Sequence, residues 1–307
     1  GSAIDQCLQS NLHPVLVQFL SYEDESVVAE VAWVLVFLVA RSDEAAAAIV
    51  TLGVVPALVT ALHKSNATNP VATPALRIIG NLVSIGESFA TTVLEQSTLL
   101  LPLMKRIVDG SGGTATPRGL LKEAVWTMSN MAAGPVHHRT MMANFLPDLL
   151  TLLNTGKFDV QREALFAVRN LMSDPACVAF ALGNGVLPPC IALLRTHDHD
   201  VILCSLTVIG VILKTSPSTA PTIVEDAGGL EAIDDLHYGD VSDDVRELAA
   251  SLVDTYYGDE YEPTQSGDDG RQGQLMQFSD VRGPQAQPQG GLGRGRDINR
   301  PAWMTSS

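Results

Sequence analysis

The sequence is poor in aromatic residues for a chain with this much apolar content. Aromatic side chains make up only 5% of its 307 residues, although 46% of the residues are hydrophobic, chiefly Ala, Val and Leu. Closely stacked helices use such side chains. The composition therefore argues against a large β-sandwich and predicts an all-α protein, with several domains or a repeat array at this length.

Long apolar runs and cysteine motifs are also absent. No apolar stretch reaches the ~18 residues that a membrane span requires, because Pro, Gly or charged residues interrupt the longest candidates. No signal peptide is recognisable, and we predict no membrane partner. The four cysteines, Cys7, Cys177, Cys190 and Cys204, lack C-x-x-C spacing and a His cluster. We expect buried free thiols in a reducing compartment.

Basic residues are scarce, and no catalytic motif is present. Lys and Arg number 19 against 34 Asp and Glu, which gives a net charge of −15. This charge argues against nucleic acid as a partner of the folded part and favours basic ligands, although acidic residues also serve simple solubility. The segment GSGGTATP lacks the Lys-Ser/Thr of a phosphate loop, and no nucleophile has a partnered base. We predict no enzyme, no cofactor and no metal site, and we expect HDHD, from His197 to Asp200, in a polar inter-helix loop.

Prolines that precede Leu-rich stretches recur along the chain. They are Pro14, Pro56, Pro102, Pro147 and Pro188, with spacings of 42, 46, 45 and 41 residues. Proline suits the first turn of a helix, where its missing N–H costs nothing, so we expect each to open an amphipathic helix. In several repeats a loop residue or a glycine, such as Gly53, Gly185 or Gly228, leads into that helix.

A second pattern with the same period lies further along each repeat. The segments VAWVLVFLV, ALRIIGNLV, AVWTMSNMA, ALFAVRNLM and SLTVIGVIL align Trp33, Arg77, Trp126, Phe166 and Thr207. A period near 40–47 residues is the signature of armadillo and HEAT solenoids, whose repeats bury their apolar faces against neighbours. We predict an array of about six repeats over residues 5–258 and a disordered Gly/Gln/Arg-containing tail over residues 259–307.

Asparagine recurs one helical turn after the aligned positions. Asn81, Asn130 and Asn170 each follow by four residues, so each pair lies on one helix face. Asparagine is a poor residue for a helix interior. One interpretation is structural, an amide ladder that joins adjacent repeats. The functional interpretation is a row of amides that hydrogen-bond the backbone of an extended peptide, beside aromatic faces that receive side chains.

Acidic residues lie three positions before the aromatic residues. Glu30 precedes Trp33, Glu123 precedes Trp126 and Glu163 precedes Phe166. A carboxylate beside an aromatic face would suit a Lys or Arg side chain, whose stem and cation can stack on the ring. Each of these residues alone could also be a solvated carboxylate in the first turn of a helix. Their repetition in phase favours a role in ligand binding.

The stretches KEAVWTMSNMAAG, GVVPALVTAL, TPALRIIGNLVS and EDAGGLEAIDDL resemble the armadillo array of importin-alpha (karyopherin alpha), the adaptor that binds nuclear localisation signals. The resemblance covers about residues 5–258 and is strongest from Gly53 to Asn170. EVAWVLVFL and ASLVDTYYGDEY are closer to a divergent branch, similar to plant importin alpha-9. The resemblance implies a right-handed superhelical solenoid.

The motif order matches the C-terminal half of that family's array, which implies its minor peptide-binding site. Trp33 matches the fifth repeat, and the next three repeats match in order. The peptide-binding residues implied in this way are Trp33, Arg77, Asn81, Trp126, Asn130, Phe166 and Asn170, with Glu123 and Glu163 as acidic partners and Val83 and Ser84 lining a lysine pocket. The implied ligand is a basic nuclear localisation peptide.

The resemblance also implies importin-beta and an export receptor as partners of the full-length protein, and a location in cytoplasm and nucleus. Two departures weaken the implied cargo recognition. Phe166 stands where the family has Trp, and Phe37 occupies a polar or Tyr position. They leave open an alternative function, an armadillo scaffold whose groove binds a non-classical peptide.

Overall fold

The structure is a computed structural model that describes residue 6 and residues 9–64, 69–111 and 115–258. Within these residues the chain is all-α, without strands, as the composition predicts. The chain divides into two lobes, and the boundary falls between His138 and Arg139. The tail predicted for residues 259–307 and Cys7 lie outside the described residues.

The N-terminal lobe contains eight complete helices in its described part. They are α1 (His13–Phe19), α2 (Glu25–Arg41), α3 (Asp43–Thr51), α4 (Val54–Lys64), α5 (Ala72–Ile85), α6 (Glu87–Leu94), α7 (Ser97–Val108) and α8 (Arg118–Ala132). Helix α9 (Val136–Ala143) spans the boundary. The C-terminal lobe continues with α10 (Leu146–Thr155), α11 (Phe158–Leu171), α12 (Pro175–Gly183), α13 (Leu187–Leu193), α14 (His199–Thr215), α15 (Ala220–Asp226), α16 (Gly229–His237) and α17 (Asp243–Tyr257).

From α3 onward, two shorter helices alternate with one long helix. The long helices have 14–17 residues, and each carries one of the aligned segments or, in α17, the last apolar stripe. Within the N-terminal lobe α5 packs against both α2 and α8, and within the C-terminal lobe α14 packs against both α11 and α17. The second sequence pattern therefore marks neighbouring helices in each lobe.

The turns between helices follow the glycine signals. Gly53, Gly185 and Gly228 have φ values of 80°, 76° and 77°, a left-handed conformation that side chains with a Cβ adopt at a cost. Gly53 directly precedes α4, Gly185 lies two residues before the start of α13, and Gly228 directly precedes α16. The predicted use of glycine ahead of these helices is confirmed.

The prolines only partly follow the prediction. Pro14, Pro147 and Pro188 lie in the first turn of α1, α10 and α13. Pro102 lies inside α7, so the expectation that it opens a helix is wrong. Proline inside a helix removes one backbone hydrogen bond, and burial of apolar side chains such as Leu100 and Met104 on the same helix offsets that loss.

Three cysteines in the described residues are free and buried, Cys177, Cys190 and Cys204. Burial raises the pKa of Cys204 to about 12, so the thiol stays protonated and unreactive at neutral pH. Among the described helices, none is by itself long and apolar enough to cross a membrane, although two bent pairs, α3 with α4 and α12 with α13, reach that length and composition together.

Candidate functional site

The predicted site residues of the N-terminal lobe lie on three adjacent long helices. Trp33 is on α2, Arg77 and Asn81 are on α5, and Trp126 and Asn130 are on α8. Because α5 packs against both of the other helices, these residues lie on neighbouring elements of the lobe. The residues that align in the sequence repeats therefore lie on neighbouring helices of this lobe.

Trp126 packs against the backbone of α5 at a glycine. A Cβ on Gly80 would lie 2.6 Å from Cε3 of the Trp126 indole and 2.8 Å from Oγ1 of Thr127. Gly80 therefore gives the indole the space it occupies. Trp126 stays partly exposed, whereas Trp33 is only 5% exposed and is a core residue. Of the two predicted tryptophans, Trp126 is therefore the one whose ring is partly accessible.

The two predicted site asparagines of this lobe, Asn81 and Asn130, differ in their surroundings. Asn130 Nδ2 is buried and has no hydrogen-bond acceptor among the described residues. Asn81 is 6% exposed, and its backbone carbonyl accepts a 2.8 Å hydrogen bond from the Ser84 hydroxyl. Val83, predicted with Ser84 to line a lysine pocket, is buried. An unpaired buried amide donor costs about 1–3 kcal/mol, so Asn130 is a natural donor for a ligand carbonyl.

Glu123 already has a cationic partner inside the protein. The Arg77 guanidinium forms a two-point ion pair with its carboxylate, with Nε and Nη2 as the donors. The Glu123 side chain is only 5% exposed, and that of Arg77 is 25% exposed. Two-point Arg–carboxylate pairs are the strong form of this contact. A basic ligand would therefore have to share Glu123 with Arg77.

In the C-terminal lobe, Arg162 covers the Phe166 ring. Its guanidinium carbon lies 4.7 Å from the ring centroid, one helical turn away on α11. Arg162 also contacts Glu163, which is 6% exposed, with 3.4 Å between Nη1 and Oε1. Two carboxylates from the start of α14 complete the cluster, Asp198 at 3.3 Å and Asp200 at 3.1 Å. The predicted aromatic face and acidic partner of this repeat are thus both occupied by an internal cation.

Asn170 and Phe37 also have arginine partners. The amide oxygen of Asn170 accepts a 3.2 Å hydrogen bond from Arg169. In the N-terminal lobe, Arg41 lies 5.2 Å from the centroid of the exposed Phe37 ring. Arginines four residues from an aromatic residue therefore recur in both lobes.

Sequence reasoning missed Arg162, Asp198 and Asp200. The expectation that HDHD lies in an inter-helix loop is wrong at its second half, because α14 begins at His199. Asp198 caps this helix by accepting a 3.1 Å hydrogen bond from the Val201 N–H. An Asp before an apolar run is a helix N-cap signal, and it could have indicated this boundary.

His199 connects α14 to α17. Its Nε2 lies 2.8 Å from Asp244 Oδ2, and its Nδ1 lies 3.5 Å from Asp200 Oδ1. Burial alone would lower the pKa of His199, but its hydrogen bonds to the two carboxylates outweigh burial and raise the pKa. Among the residues that the structure describes, no group of three or more His, Cys, Asp or Glu side chains is arranged to hold a metal ion.

No family model matches the sequence. Similar curated proteins include importin subunit alpha-2 of Oryza sativa subsp. japonica, 30% identical over 265 residues that cover 80% of this chain and 49% of the relative. Importin subunit alpha-9 of Arabidopsis thaliana is 28% identical over 264 residues, which cover 80% of this chain and 50% of the relative. The chain thus spans about half the length of these relatives.

Solved structures of similar fold include computationally designed armadillo repeat proteins for modular peptide recognition, with a TM-score of 0.67 and 22% identity over 78% of this chain and 98% of that one. A designed armadillo repeat protein in complex with the peptide (KR)4 gives a TM-score of 0.64, again at 22% identity over 78% and 98% of the two chains. At this identity the likeness shows the fold. The chain therefore has an all-α armadillo-repeat fold, and its sequence is similar to plant importin-alpha subunits, alpha-9 among them.

Proposed function

We propose that the chain is a nuclear-import adaptor of the importin-alpha kind, which binds an extended basic localisation peptide through Trp126, Asn130 and Asn81. The buried Nδ2 of Asn130 carries this proposal, because it is a donor without an acceptor among the described residues. The Asn130 side chain is partly exposed, and its rotation would bring this amide to the carbonyl of a peptide laid along the surface. The partly exposed indole of Trp126, one turn earlier on α8, would receive the neighbouring side chain.

The preference for a basic peptide is supported by charge and by the relatives. The net charge of −15 attracts cationic ligands. The relatives are named as importin subunits, and a structure of similar fold holds the peptide (KR)4. By the same analogy the full-length protein would work with importin-beta and an export receptor, and would move between cytoplasm and nucleus. The role is one of binding, without catalysis.

A second candidate is an armadillo scaffold with a non-classical peptide ligand. The pairing of Glu123 with Arg77, and of Glu163 with Arg162, favours it. Carboxylates that already hold an internal arginine offer less to a basic side chain than free ones. The two candidates differ in the charge of the peptide and share its extended backbone.

The test is a fluorescence-anisotropy titration of the whole chain with labelled (KR)4, beside the double variant Trp126→Ala/Asn130→Ala. Loss of the Trp126 anchor and the Asn130 amide should cost at least ~2 kcal/mol, roughly thirtyfold in Kd. The control is Tyr238→Ala, which removes an 81% exposed aromatic ring outside the site and should leave Kd unchanged.

Binding by the wild type together with loss in the double variant supports the adaptor. Equal binding by all three proteins would mean that the peptide does not use Trp126 and Asn130. Absence of binding by the wild type would remove the adaptor and leave the scaffold, to be pursued with a matched peptide in which Gln and norleucine replace Arg and Lys.

A further inference from the structure

Arg162 lies where the side chain of a basic ligand would be expected. The ring of Phe166 and the carboxylate of Glu163 are the pair that the sequence predicts for stacking and charge recognition. In the structure the Arg162 guanidinium stacks on that ring at 4.7 Å and contacts that carboxylate at 3.4 Å. Its side chain is only 18% exposed. The chain's own arginine thus makes the contacts that a bound Lys or Arg would make.

The carboxylates around Arg162 have further partners. Besides binding Arg162, Asp198 accepts the Val201 N–H at 3.1 Å as the cap of α14. Asp200 binds Arg162 through Oδ2 at 3.1 Å, and its Oδ1 lies 3.5 Å from Nδ1 of His199. A second ligand cation at this place would meet Arg162 at close range and carboxylates that are already in use. An acidic ligand side chain would be repelled by three carboxylates and attracted by only one guanidinium.

We propose that Arg162 is a specificity-determining residue, which makes the peptide position at Phe166 select an uncharged aliphatic side chain. The inference rests on the proposed peptide binding and refines its ligand. The aliphatic side chain packs against the edge of Phe166 and the stem of Arg162.

The experiment uses a set of eight-residue peptides with a fixed Lys-Arg pair, in which each other position is in turn Lys or norleucine. Norleucine keeps the Lys stem and lacks its charge. In the wild-type chain, one position should bind norleucine at least as tightly as Lys. In Arg162→Gln, which uncovers the ring and Glu163, that same position should prefer Lys by about fivefold or more.

The matched control is Arg195→Gln, which removes an exposed arginine from the same lobe. It should keep the wild-type order of norleucine and Lys. A wild-type chain that prefers Lys at every position, or two variants that behave alike, would overturn the inference. If Arg162→Gln lacks the wild-type circular dichroism spectrum, Arg162→Lys replaces it; lysine cannot stack as a plane, and a smaller shift of the same sign is expected.

A second measurement separates this inference from the proposed function. N-acetyl-arginine amide is added to ¹³C-Phe-labelled chain, and the ring signals of Phe166 are followed by NMR, with Phe166→Ala for assignment. The ring signals should shift in Arg162→Gln and stay fixed in the wild type, whether or not any peptide binds. Equal shifts in both proteins, or none in either, would show that Arg162 does not close this face.

Discussion

At the scale of single residues, Gly80 sets the position of the Trp126 indole. Replacement by Ala puts a Cβ at 2.6 Å from Cε3 of the ring, which forces the indole or α5 to move. Although Ala is the better helix former, overpacking in a well-packed region costs about 1–3 kcal/mol. We expect Gly80→Ala to lower the free energy of unfolding by that amount, as measured by urea denaturation.

Gly183→Ala is the control for this prediction. Gly183 is the last residue of α12, and a Cβ there would meet no atom within 4 Å. Its change in stability should stay within about 0.5 kcal/mol. If Gly80→Ala changes the free energy of unfolding as little as Gly183→Ala does, the Trp126 indole does not pack closely against Gly80. The position described for the ring would then be wrong.

At the scale of helices, the stability of the packing at α9 depends on the neutral form of a buried histidine. His138 is fully buried, and neither ring nitrogen has a hydrogen-bond partner among the described residues. Burial, followed by the charge of His137, lowers the pKa of His138 from its ordinary 6.5. The unfolded chain therefore binds a proton more readily than the folded chain. The resulting stability is complete above pH 6.5 and is lost as the pH falls below that value.

We expect chemical denaturation of the wild type at a series of pH values to show this loss between neutral and mildly acidic pH. His138→Leu should flatten that part of the curve, since Leu fills a similar space without titrating. His63→Gln, which changes an exposed histidine of α4, should keep the wild-type slope. An unchanged slope in His138→Leu would assign the acid sensitivity to other groups.

The helices could be predicted from sequence much better than the ion pairs between them. Local signals placed the long helices and the turns at Gly53 and Gly228, because glycine and apolar periodicity act over a few residues. The pair of Arg77 and Glu123 joins residues 46 positions apart, and Arg162 reaches residues 36 and 38 positions away. Such pairs form only when the long helices pack together, and a single sequence does not reveal that packing.

The same limit explains the outcome at the candidate site. The register of Asn and aromatic residues was readable because it repeats, and the structure puts it on neighbouring helices of the N-terminal lobe and on α11 of the C-terminal lobe. Whether Glu123 and Glu163 face a ligand or an internal arginine was open, because both arrangements have the same spacing along the chain. Their predicted role as acidic partners of a peptide stays a prediction, and Arg77 and Arg162 are the competitors that it must overcome.

At the scale of the whole molecule, the net charge of −15 acts over a distance, whereas the nearby carboxylates are already paired. Attraction of a basic peptide should then come mainly from the long-range field, which speeds encounter more than it slows dissociation. In stopped-flow measurements with (KR)4, we expect the association rate to fall about tenfold between about 0.05 M and about 0.5 M NaCl, because the screening length shrinks from about 14 Å to about 4 Å. The dissociation rate should change little.

The comparison peptide carries Gln and norleucine in place of Arg and Lys, and its association rate should depend only weakly on salt. The opposite pattern for (KR)4, a constant association rate with faster dissociation at high salt, would mean that short-range ion pairs hold the bound peptide. Ligand cations would then compete with Arg77 or Arg162 for their largely buried carboxylates. Repeating the salt series with Arg162→Gln would identify which carboxylate is used, since only a contact with Glu163 should strengthen in that variant.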